Sequence, residues 1–424
     1  MTWVQFVLGQ SRGPRNMAAR LPTIVARFGL GPRKSRAHLA LLLGITERWG
    51  VRPTLPVTAV IARRHPQLMH WLADRGVELG GHGYVHNDYA ALTREAQFEQ
   101  VQRARDELLR LGLRVRGWRC PYSRWNAHTL AAVRAAGFAY DATPTYAWPA
   151  YAQERIALPP HAAADYARLC RLFGVRDAGR QSVLPTMVDG LVQIPMSIPQ
   201  DEDMVDRLHL DAASMSRVWR RMLREARQRR DIVVLCVHPE RAALCAAALD
   251  ATLGEAREWG DVWLAPLEEI AAWWRERDST RVRVHAGPDG RWHVAVQGPS
   301  RLVTRCGARV LRGPGVLTVT SPYKPVIGAG PAWPAATLQR LREAGYLCDG
   351  GAGRVQRDRR HALDLGRALP ADTSPDAVVR VVAERDADLV RVQPWPAGYR
   401  SCLSVTGDID AVTLFDFARR MKEF

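Results

Sequence analysis

The chain has 424 residues, of which 47% are hydrophobic, and a formal net charge of +17. This length allows two or three domains, and no apolar run approaches the ~20 residues that a membrane-spanning helix needs. Only Lys34, Lys324 and Lys422 among the 60 basic residues are lysine, and the arginines show no aromatic-basic interleaving of the RNA-binding kind. The charge therefore favours a solvated arginine surface, or a face for an anionic glycan or membrane, over nucleic-acid binding.

The cysteines and the first residues indicate a compartment. The seven cysteines are scattered and include no C-x-x-C pair, which argues against a zinc ribbon and against a disulfide framework. The opening MTWVQFVLG lacks the basic start and the small-residue cleavage site of a signal peptide. We therefore expect a cytoplasmic protein.

Strand-like and helix-like segments alternate over residues 20–276. Apolar runs such as PTIVARFG, RPTLPVTAV, VELGGH, RVRGWRCPY and DIVVLCVH predict strands. Amphipathic segments such as SRAHLALLLGITERWG and TREAQFEQVQRARDELLRLG predict helices between them. This alternation is typical of an α/β domain with a parallel sheet, either a barrel or an open sheet.

Three further regions follow this domain. TRVRVHAGPDGRWHVAVQG alternates with period two around a Pro-Asp-Gly turn, which predicts a β-hairpin in a small β-rich domain over 277–350. Residues 351–399 are polar and rich in Pro and Arg, so we expect a linker with one helix at most. Residues 400–424 predict a strand, a turn and a helix, which is the first βα unit of an α/β domain without a sheet of its own.

Two histidines follow the predicted strand VELGGH. His82 and His86 are spaced as a pair that can bind one metal ion, but a hydrolytic metal site also needs a carboxylate. None is available upstream, because the first 73 residues contain no Asp and a single Glu, Glu47. Taken alone, such a pair is more often two unrelated loop histidines than a metal site.

Polar residues also end the other predicted strands, where α/β folds place their sites. Each has an ordinary structural alternative: a proline turn, a loop of turn residues, or a histidine that follows a buried strand. These candidates are Arg119, Pro121 and Tyr122 in GWRCPYSRWN, Asp141 and Trp148 in FAYDATPTYAWP, and Leu235 and His238 in LCVHPE.

In this order, the segments resemble the motifs of the polysaccharide deacetylases, which are carbohydrate esterase family 4 and its relatives. The matching patterns are H-(S/T)-x-x-H, R-x-P-Y, a D/W loop and L-x-x-H, with Gly83 in place of the usual Ser or Thr. The resemblance covers about 25–275 and implies a deformed (β/α) barrel. It departs from the family at the first motif, a carboxylate pair, because IVARFGLGPRKS contains no acid.

The C-terminal segment SVTGDIDAVTLFDFARRM resembles that missing motif. Alternation in an extended segment places Asp408 and Asp410 on the same side, as a base and a metal ligand of one site require. The segment would then complete the barrel, either in cis, as in a circular permutation, or in trans in a homo-oligomer that exchanges it. The alternatives are incidental acids at a helix start, or a Ca²⁺ loop that also uses Asp416.

The resemblance implies a role for each residue that could bind a metal ion. Asp410, His82 and His86 would hold a divalent ion, with zinc expected and iron, cobalt or nickel as alternatives. The ion would lower the pKa of a water molecule and polarise the amide carbonyl. Asp408 would take the water proton, and Arg119 would orient Asp408.

The remaining candidates are assigned to the substrate side on the same basis. The backbone N–H of Tyr122 would help to hold the oxyanion, and His238 would protonate the departing amine. Leu235 would line the space for the acyl methyl group. Trp148 and Asp141 would border the substrate, and Asp141 would tune His238.

The predicted function is a metal-dependent N-deacetylase that acts on an N-acetylated amino sugar in a polysaccharide, a glycolipid or a sugar precursor. One alternative is a C–N hydrolase of the same fold that acts on a non-sugar amide or a cyclic imide. A second alternative is a catalytically inactive protein that binds glycans, with the β-rich region as its binding module.

Overall fold

The computed structural model describes residues 27–298, 302–304, 310–311, 315–349, 361–385 and 387–420. No helix within these ranges is both long enough and apolar enough to cross a membrane. The first part of the chain alternates strands with helices, as the sequence predicted. Its strands are β1 (Thr54–Val57), β2 (Glu78–Gly81), β3 (Val115–Trp118), β4 (Tyr140–Asp141), β5 (Thr145–Ala147), β6 (Arg176–Asp177), β7 (Thr186–Val188), β8 (Leu191–Gln193), β9 (Met196–Ile198), β10 (Ile232–Cys236) and β11 (Val262–Leu264).

The helices of this part connect the strands and cover the sheet. They are α1 (Arg33–Arg48), α2 (Ala59–Arg64), α3 (Pro66–Asp74), α4 (Arg94–Arg110), α5 (Ala127–Ala135), α6 (Ala150–Gln153), α7 (Ala162–Leu172), α8 (Ala212–Arg229), α9 (Ala242–Trp259) and α10 (Leu267–Asp278). Local sequence explains several of the starts. Thr93 caps α4, Asn126 and Thr129 form a capping box on α5, and Asp211 caps α8.

The second part of the chain is smaller and is followed by the C-terminal unit. Its elements are β12 (Arg281–Ala286), β13 (Trp292–Gln297), β14 (Leu302–Thr304), β15 (Val310–Leu311), β16 (Gly315–Val319), β17 (Lys324–Gly328), α11 (Ala335–Glu343), β18 (Cys348–Asp349), β19 (His361–Asp364), α12 (Leu365–Ala368), α13 (Pro375–Glu384) and β20 (Val390–Val392). The C-terminal unit consists of β21 (Ser401–Thr406) and α14 (Leu414–Arg420).

A nine-stranded sheet dominates the described residues. Its order is β10–β21–β1–β2–β3–β4–β8–β7, and β11 also pairs with β21. The pairs are parallel except for β7 with β8, and the sheet curls without closing between β10 and β7. This arrangement is the deformed (β/α) barrel that the sequence predicted.

The C-terminal strand β21 lies inside this sheet. It pairs with β10 from Cys402 to Thr406 along one edge, and with β11 and then β1 along the other. All six residues of β21 are buried, as expected for a parallel strand that is covered on both faces. In the single chain, the last strand in sequence therefore occupies a central position in the first sheet.

The N-terminal strand that the sequence predicted, PTIVARFG, lies mostly outside the described residues. Of its described part, Gly29 forms one parallel bridge to Thr413, and its carbonyl accepts the backbone N–H of Leu414. The hydroxyl of Ser35 donates to the carbonyl of Val412. The start of the described chain therefore contacts the loop that follows β21.

The second part contains the predicted hairpin and an additional small α/β unit. Strands β12 and β13 pair from Arg281 to Gln297 around the Pro-Asp-Gly turn, and β16 pairs with β13. Strands β18, β17 and β19 form a three-stranded parallel sheet. The predicted β-rich region thus also contains α/β structure, with α11 beside these strands.

The structure differs from the predicted linker over 351–399. In its described part, α13 buries Val378, Val379 and Val382 in one apolar cluster with Leu338 and Leu341 of α11. The segment is therefore packed. Its polar composition concealed this, because the buried stripe consists of only three valines in one helix, and such a stripe is too short to give a periodic signal.

Candidate active site

The C-terminal unit brings two carboxylates to the carboxyl edge of the sheet. Ile409 lies between them, is 1% exposed, and donates its backbone N–H to the carbonyl of Pro56 at 2.8 Å. Because alternate side chains of an extended segment point in opposite directions, Asp408 and Asp410 both point away from Ile409. Both line a cavity of about 110 Å³.

The two histidines follow β2 on the neighbouring loop. The backbone N–H of His82 donates to the carbonyl of Val57 at 3.0 Å, which continues the sheet by one residue. Gly83 then has φ +89°, and a Cβ atom there would lie 2.6 Å from the carbonyl oxygen of Val85. A residue with a side chain would be strained at this turn. The Ser or Thr that is usual at this position in polysaccharide deacetylases therefore does not fit this backbone.

The ring of His82 has a defined orientation. Its Nδ1 lies 2.9 Å from the carbonyl oxygen of Arg119. Since a carbonyl can only accept, Nδ1 carries the proton, and Nε2 presents its lone pair to the cavity.

The histidines and carboxylates meet at short distances. Asp410 places Oδ1 3.3 Å from Nε2 of His82 and Oδ2 3.3 Å from Nε2 of His86, and Asp408 Oδ2 lies 3.8 Å from Nε2 of His82. Ligand atoms of His82, His86 and Asp410 all lie within 4.8 Å of one another. Oδ1 of Asp410 is buried and accepts no hydrogen bond from the described residues. Two imidazole nitrogens and one free carboxylate oxygen are a ligand set that fits zinc.

Burial and charge set the protonation of this group. Burial, followed by the nearby Arg420 cation, holds the pKa of His86 well below its usual value, so its imidazole is neutral. Burial works against ionisation of Asp410, but the Arg420 guanidinium, which donates to Oδ2, holds its pKa well below the usual range. A neutral imidazole and an ionised carboxylate are the forms that bind metal ions.

Arg119 connects β3 to the carboxylates. Its side chain is 1% exposed, and Nη1 donates to Asp408 Oδ1 at 2.8 Å and to Thr406 Oγ1 at 3.0 Å. Burial of Arg119 opposes its charge, but the Asp408 carboxylate raises the pKa of the guanidinium. The charge-assisted bond fixes one oxygen of Asp408 and leaves the other toward His82.

His238 lies on the opposite side of the cavity with a partner that the sequence analysis missed. Oδ1 of Asp201 lies 2.8 Å from Nδ1 of His238, and Oδ2 accepts the backbone N–H of His238 at 2.7 Å. Burial lowers the pKa of His238, but the Asp201 carboxylate outweighs it and raises this pKa to about 10. Asp201 lies three residues after the end of β9, a strand that the sequence analysis did not predict.

Arg420 is a second residue that the sequence analysis missed. Its Nη1 donates to Asp410 Oδ2 at 2.7 Å, and its Nη2 lies 3.4 Å from Nε2 of His86. The guanidinium carbon lies 5.7 Å from the centre of the Tyr122 ring. The ring of Tyr122 in turn meets His86 edge-on, with the ring centres 4.3 Å apart. Arg420 follows Asp410 by ten residues, and no pattern in the sequence indicated its role.

The predicted role of Asp141 requires a correction. Asp141 does not line the cavity and does not contact His238, for which Asp201 is the partner. Asp141 instead accepts hydrogen bonds from the Thr143 hydroxyl and, at 3.1 Å, from the Gln193 amide. Burial raises the pKa of Asp141 to about 6. Its two donors connect β4 to β8 and the following loop, which is a structural position.

Trp148 and Leu235 are also absent from the cavity walls. Trp148 is 1% exposed, and its indole N–H donates to the Ser197 hydroxyl at 3.2 Å, between β5 and β9. Leu235 is buried one residue before the end of β10, where its carbonyl accepts a hydrogen bond from the Thr406 hydroxyl. Both therefore pack the barrel interior. The apolar wall of the cavity consists instead of Leu169, Phe173, Met196 and Ile198.

Residues 21–140 match the family model described as polysaccharide deacetylase. The chain carries a polysaccharide deacetylase domain. The matched range includes the two histidines and Arg119, whereas Asp408 and Asp410 lie far outside it. No curated protein matches the chain.

Solved structures resemble the polysaccharide deacetylase domain at low identity. A protein from Mycobacterium smegmatis assigned as a polysaccharide deacetylase is 23% identical, with 64% of this chain and 86% of that chain covered and a TM-score of 0.47. A protein from Pseudomonas aeruginosa PAO1 assigned to the same class is 19% identical over 56% of this chain and 72% of that chain, with a TM-score of 0.43. A Puue allantoinase is 18% identical with the same coverage and TM-score.

Proposed function

We propose that the polysaccharide deacetylase domain is a metal-dependent N-deacetylase that removes an acetyl group from an N-acetylated amino sugar. The observation that carries this proposal is the 3.3 Å distance between Asp410 Oδ1 and His82 Nε2. At this distance the C-terminal carboxylates and the two histidines of the matched range form one cluster of side chains. A binding protein has no need of a buried carboxylate oxygen without a hydrogen bond beside two imidazoles.

His82, His86 and Asp410 would hold the metal ion. Such an ion supplies a Lewis acid for the amide carbonyl and lowers the pKa of water. His82 is kept in the required tautomer by the Arg119 carbonyl. The neutral state of His86 needs no deprotonation before a cation binds.

Asp408 and His238 carry out the two proton transfers. Asp408 accepts the proton of the attacking water at the oxygen that Arg119 leaves free. His238, with its pKa raised to about 10 by Asp201, is protonated at neutral pH and donates to the departing amine nitrogen. A carboxylate base and a protonated histidine acid meet the requirement of amide hydrolysis.

The cavity limits the part of the substrate that enters. Its volume of about 110 Å³ is well below the roughly 300–1,000 Å³ of pockets that enclose a whole drug-sized ligand. The apolar wall of Leu169, Phe173, Met196 and Ile198 suits the acyl methyl group. The acetamido group therefore enters, and the sugar ring remains at the mouth.

The test compares Asp408→Asn with Asp410→Asn. Asp410→Asn is expected to lose bound metal, measured by elemental analysis, together with activity. Asp408→Asn is expected to keep the metal and to lose about 10²–10⁴-fold in kcat. Acetate release from N-acetylglucosamine oligomers measures the activity. Asp189→Asn is the matched control, because Asp189 is exposed and distant from the cavity.

Three outcomes would redirect the proposal. Full metal content in Asp410→Asn would remove Asp410 from the ligand set. Metal bound without acetate release, together with ring opening of a hydantoin or another cyclic imide, would assign the site to the alternative C–N substrates. Turnover of neither substrate class would identify an inactive glycan-binding protein.

A further inference from the structure

A second cavity of about 510 Å³ lies between the barrel and the second part of the chain. One wall is the loop before β7 and the end of α8, and the other is α13 with the segment around β20. Arg340 connects the two walls, since its guanidinium donates to the Ser182 carbonyl and to the Asp376 carboxylate, each at 2.8 Å. The cavity is therefore formed without a ligand.

The charge of this cavity is one-sided. Its lining contains five arginines and, among the described residues, one acidic residue, the exposed Glu384. The arginines are Arg180, Arg229, Arg230, Arg380 and Arg391. Two of the five guanidinium groups already bond to other residues of the protein. Arg229 donates to two backbone carbonyls and pairs with Asp231 at 3.1 Å, and Arg391 Nε donates to the Ala344 carbonyl at 2.7 Å.

Arg230 has no such partner. Its backbone is fixed, with φ +65° at the end of α8 and its carbonyl accepting the Trp395 indole N–H at 2.8 Å. Its guanidinium forms no hydrogen bond or ion pair with the described residues. Burial, and then the positive charges of Arg391 and Arg400, lower the pKa of Arg230. A half-buried cation that faces other cations costs free energy unless an anion joins them.

We propose that this cavity binds a small molecule that carries at least two negative charges as phosphate groups. Guanidinium groups bind phosphate through two parallel hydrogen bonds, and Arg230 offers such a group from the first wall and Arg380 from the second. Gln181, Gln228 and Gln393 line the same space and offer amides to the hydroxyl groups of a sugar. The volume lies within the range of small-molecule pockets. A nucleoside diphosphate and a sugar phosphate share this chemistry.

The site is separate from the hydrolytic one. Arg230 lies two residues before the first residue of β10, and His238 lies two residues after the last. Five residues of strand at about 3.3 Å each place the two sites at least ~16 Å apart. Binding there requires no amide hydrolysis, so the inference stands independently of the proposed deacetylase activity.

The experiment measures binding of pyrophosphate, a nucleoside diphosphate and glucose 1-phosphate by titration calorimetry at constant ionic strength. Wild-type protein is expected to bind at least one of them, and the strongest ligand distinguishes a nucleotide site from a sugar phosphate site. Arg230→Gln is expected to weaken that binding by about tenfold or more, because a charge-assisted bond is lost. Arg380→Gln, on an exposed position of α13, is expected to weaken it less.

Arg283→Gln is the matched control, because it removes one charge from an exposed arginine on β12, away from the cavity. A urea-unfolding midpoint equal to that of the wild type would verify that Arg230→Gln is folded. Equal weakening by Arg283→Gln and Arg230→Gln would overturn the proposal in favour of general attraction to a basic surface. Absence of binding by all three probes would overturn it as well.

Discussion

Asp201 contacts His238 through both of its carboxylate oxygens. Oδ2 accepts the backbone N–H of His238 at 2.7 Å, and Oδ1 lies 2.8 Å from its Nδ1. One carboxylate thus fixes both the backbone and the ring. Because Nδ1 is held by Asp201, Nε2 is the atom that faces the cavity, where it can carry a proton to a leaving group.

Replacement of Asp201 tests this relationship. Asp201→Asn is expected to reduce kcat by about 10²–10⁴-fold and to move the basic limb of the kcat/KM profile to lower pH, because the His238 pKa falls toward 6.5. A purely structural role would leave the limb in place. In Asp189→Asn, the limb should remain at the wild-type pH.

The same pair gives a prediction for stability. The folded-state pKa of His238, about 10, lies above its usual 6.5. Its contribution to the free energy of unfolding is therefore complete below pH 6.5 and is lost as the pH rises from 6.5 to 10. Urea unfolding at pH 6, 8 and 10 should show a decline, on the order of 2 kcal/mol, that is smaller in Asp201→Asn. An equal decline in both proteins would assign the pH dependence to other groups.

Arg420 predicts a direct effect on metal affinity. Its guanidinium bonds to Asp410 Oδ2 and approaches Nε2 of His86, which a metal ion would use. Arg420→Met keeps an unbranched side chain and removes the competing cation. We expect zinc to bind at least about tenfold more tightly, since a positive charge no longer lies beside the ligand atoms. Competition with a chromogenic chelator measures this, and weaker binding would show that Arg420 supports the ligand set.

The sequence indicated five candidates that line one cavity in the structure. It did so through strand ends in family order for His82, His86 and Arg119, and through the D-x-D pattern after the last predicted strand for Asp408 and Asp410. It did not indicate Asp201, because IPQDEDMVD contains several acids and nothing in their spacing distinguishes the one that reaches a histidine 37 residues later. Side-chain direction also could not be predicted. Leu235 and Trp148 lie near strand ends, yet their side chains are buried in the barrel core.

The burial of Glu78, at the end of the barrel opposite the cavity, predicts that the free energy of unfolding depends on pH. Its carboxylate accepts hydrogen bonds from Tyr140, from the Thr54 hydroxyl at 2.6 Å and from the Glu268 backbone N–H at 3.0 Å. Burial nevertheless raises its pKa to about 7. Its contribution to the free energy of unfolding is thus greatest below about pH 4.5 and falls as the pH rises to 7.

Glu78→Gln removes this titration. We expect the variant to lose about 1–3 kcal/mol at pH 5, because its amide offers one acceptor oxygen to three donors. It should also lose less stability than wild type between pH 5 and 7.5. Denaturant unfolding at these two values measures both effects. Glu99→Gln, which alters a carboxylate on the outer face of α4, should reproduce neither.

Gly407 determines how closely the C-terminal unit approaches β10. A Cβ atom at this position would lie 2.0 Å from the carbonyl oxygen of Val237 and 3.0 Å from its carbonyl carbon. Because these are backbone atoms in a buried region, they cannot move aside as the end of a side chain can. Gly407→Ala would therefore push the chain that carries Asp408 and Asp410 away from the histidines.

We expect Gly407→Ala to lower the free energy of unfolding by roughly 1–3 kcal/mol and to reduce metal content in the fraction that remains folded. Gly44→Ala is the control, because Gly44 lies within α1 and an added Cβ would contact nothing within 4 Å. That change should stabilise the protein by about 0.5–1 kcal/mol. Full metal content in Gly407→Ala would mean that the two carboxylates do not depend on the close contact between the end of β21 and β10.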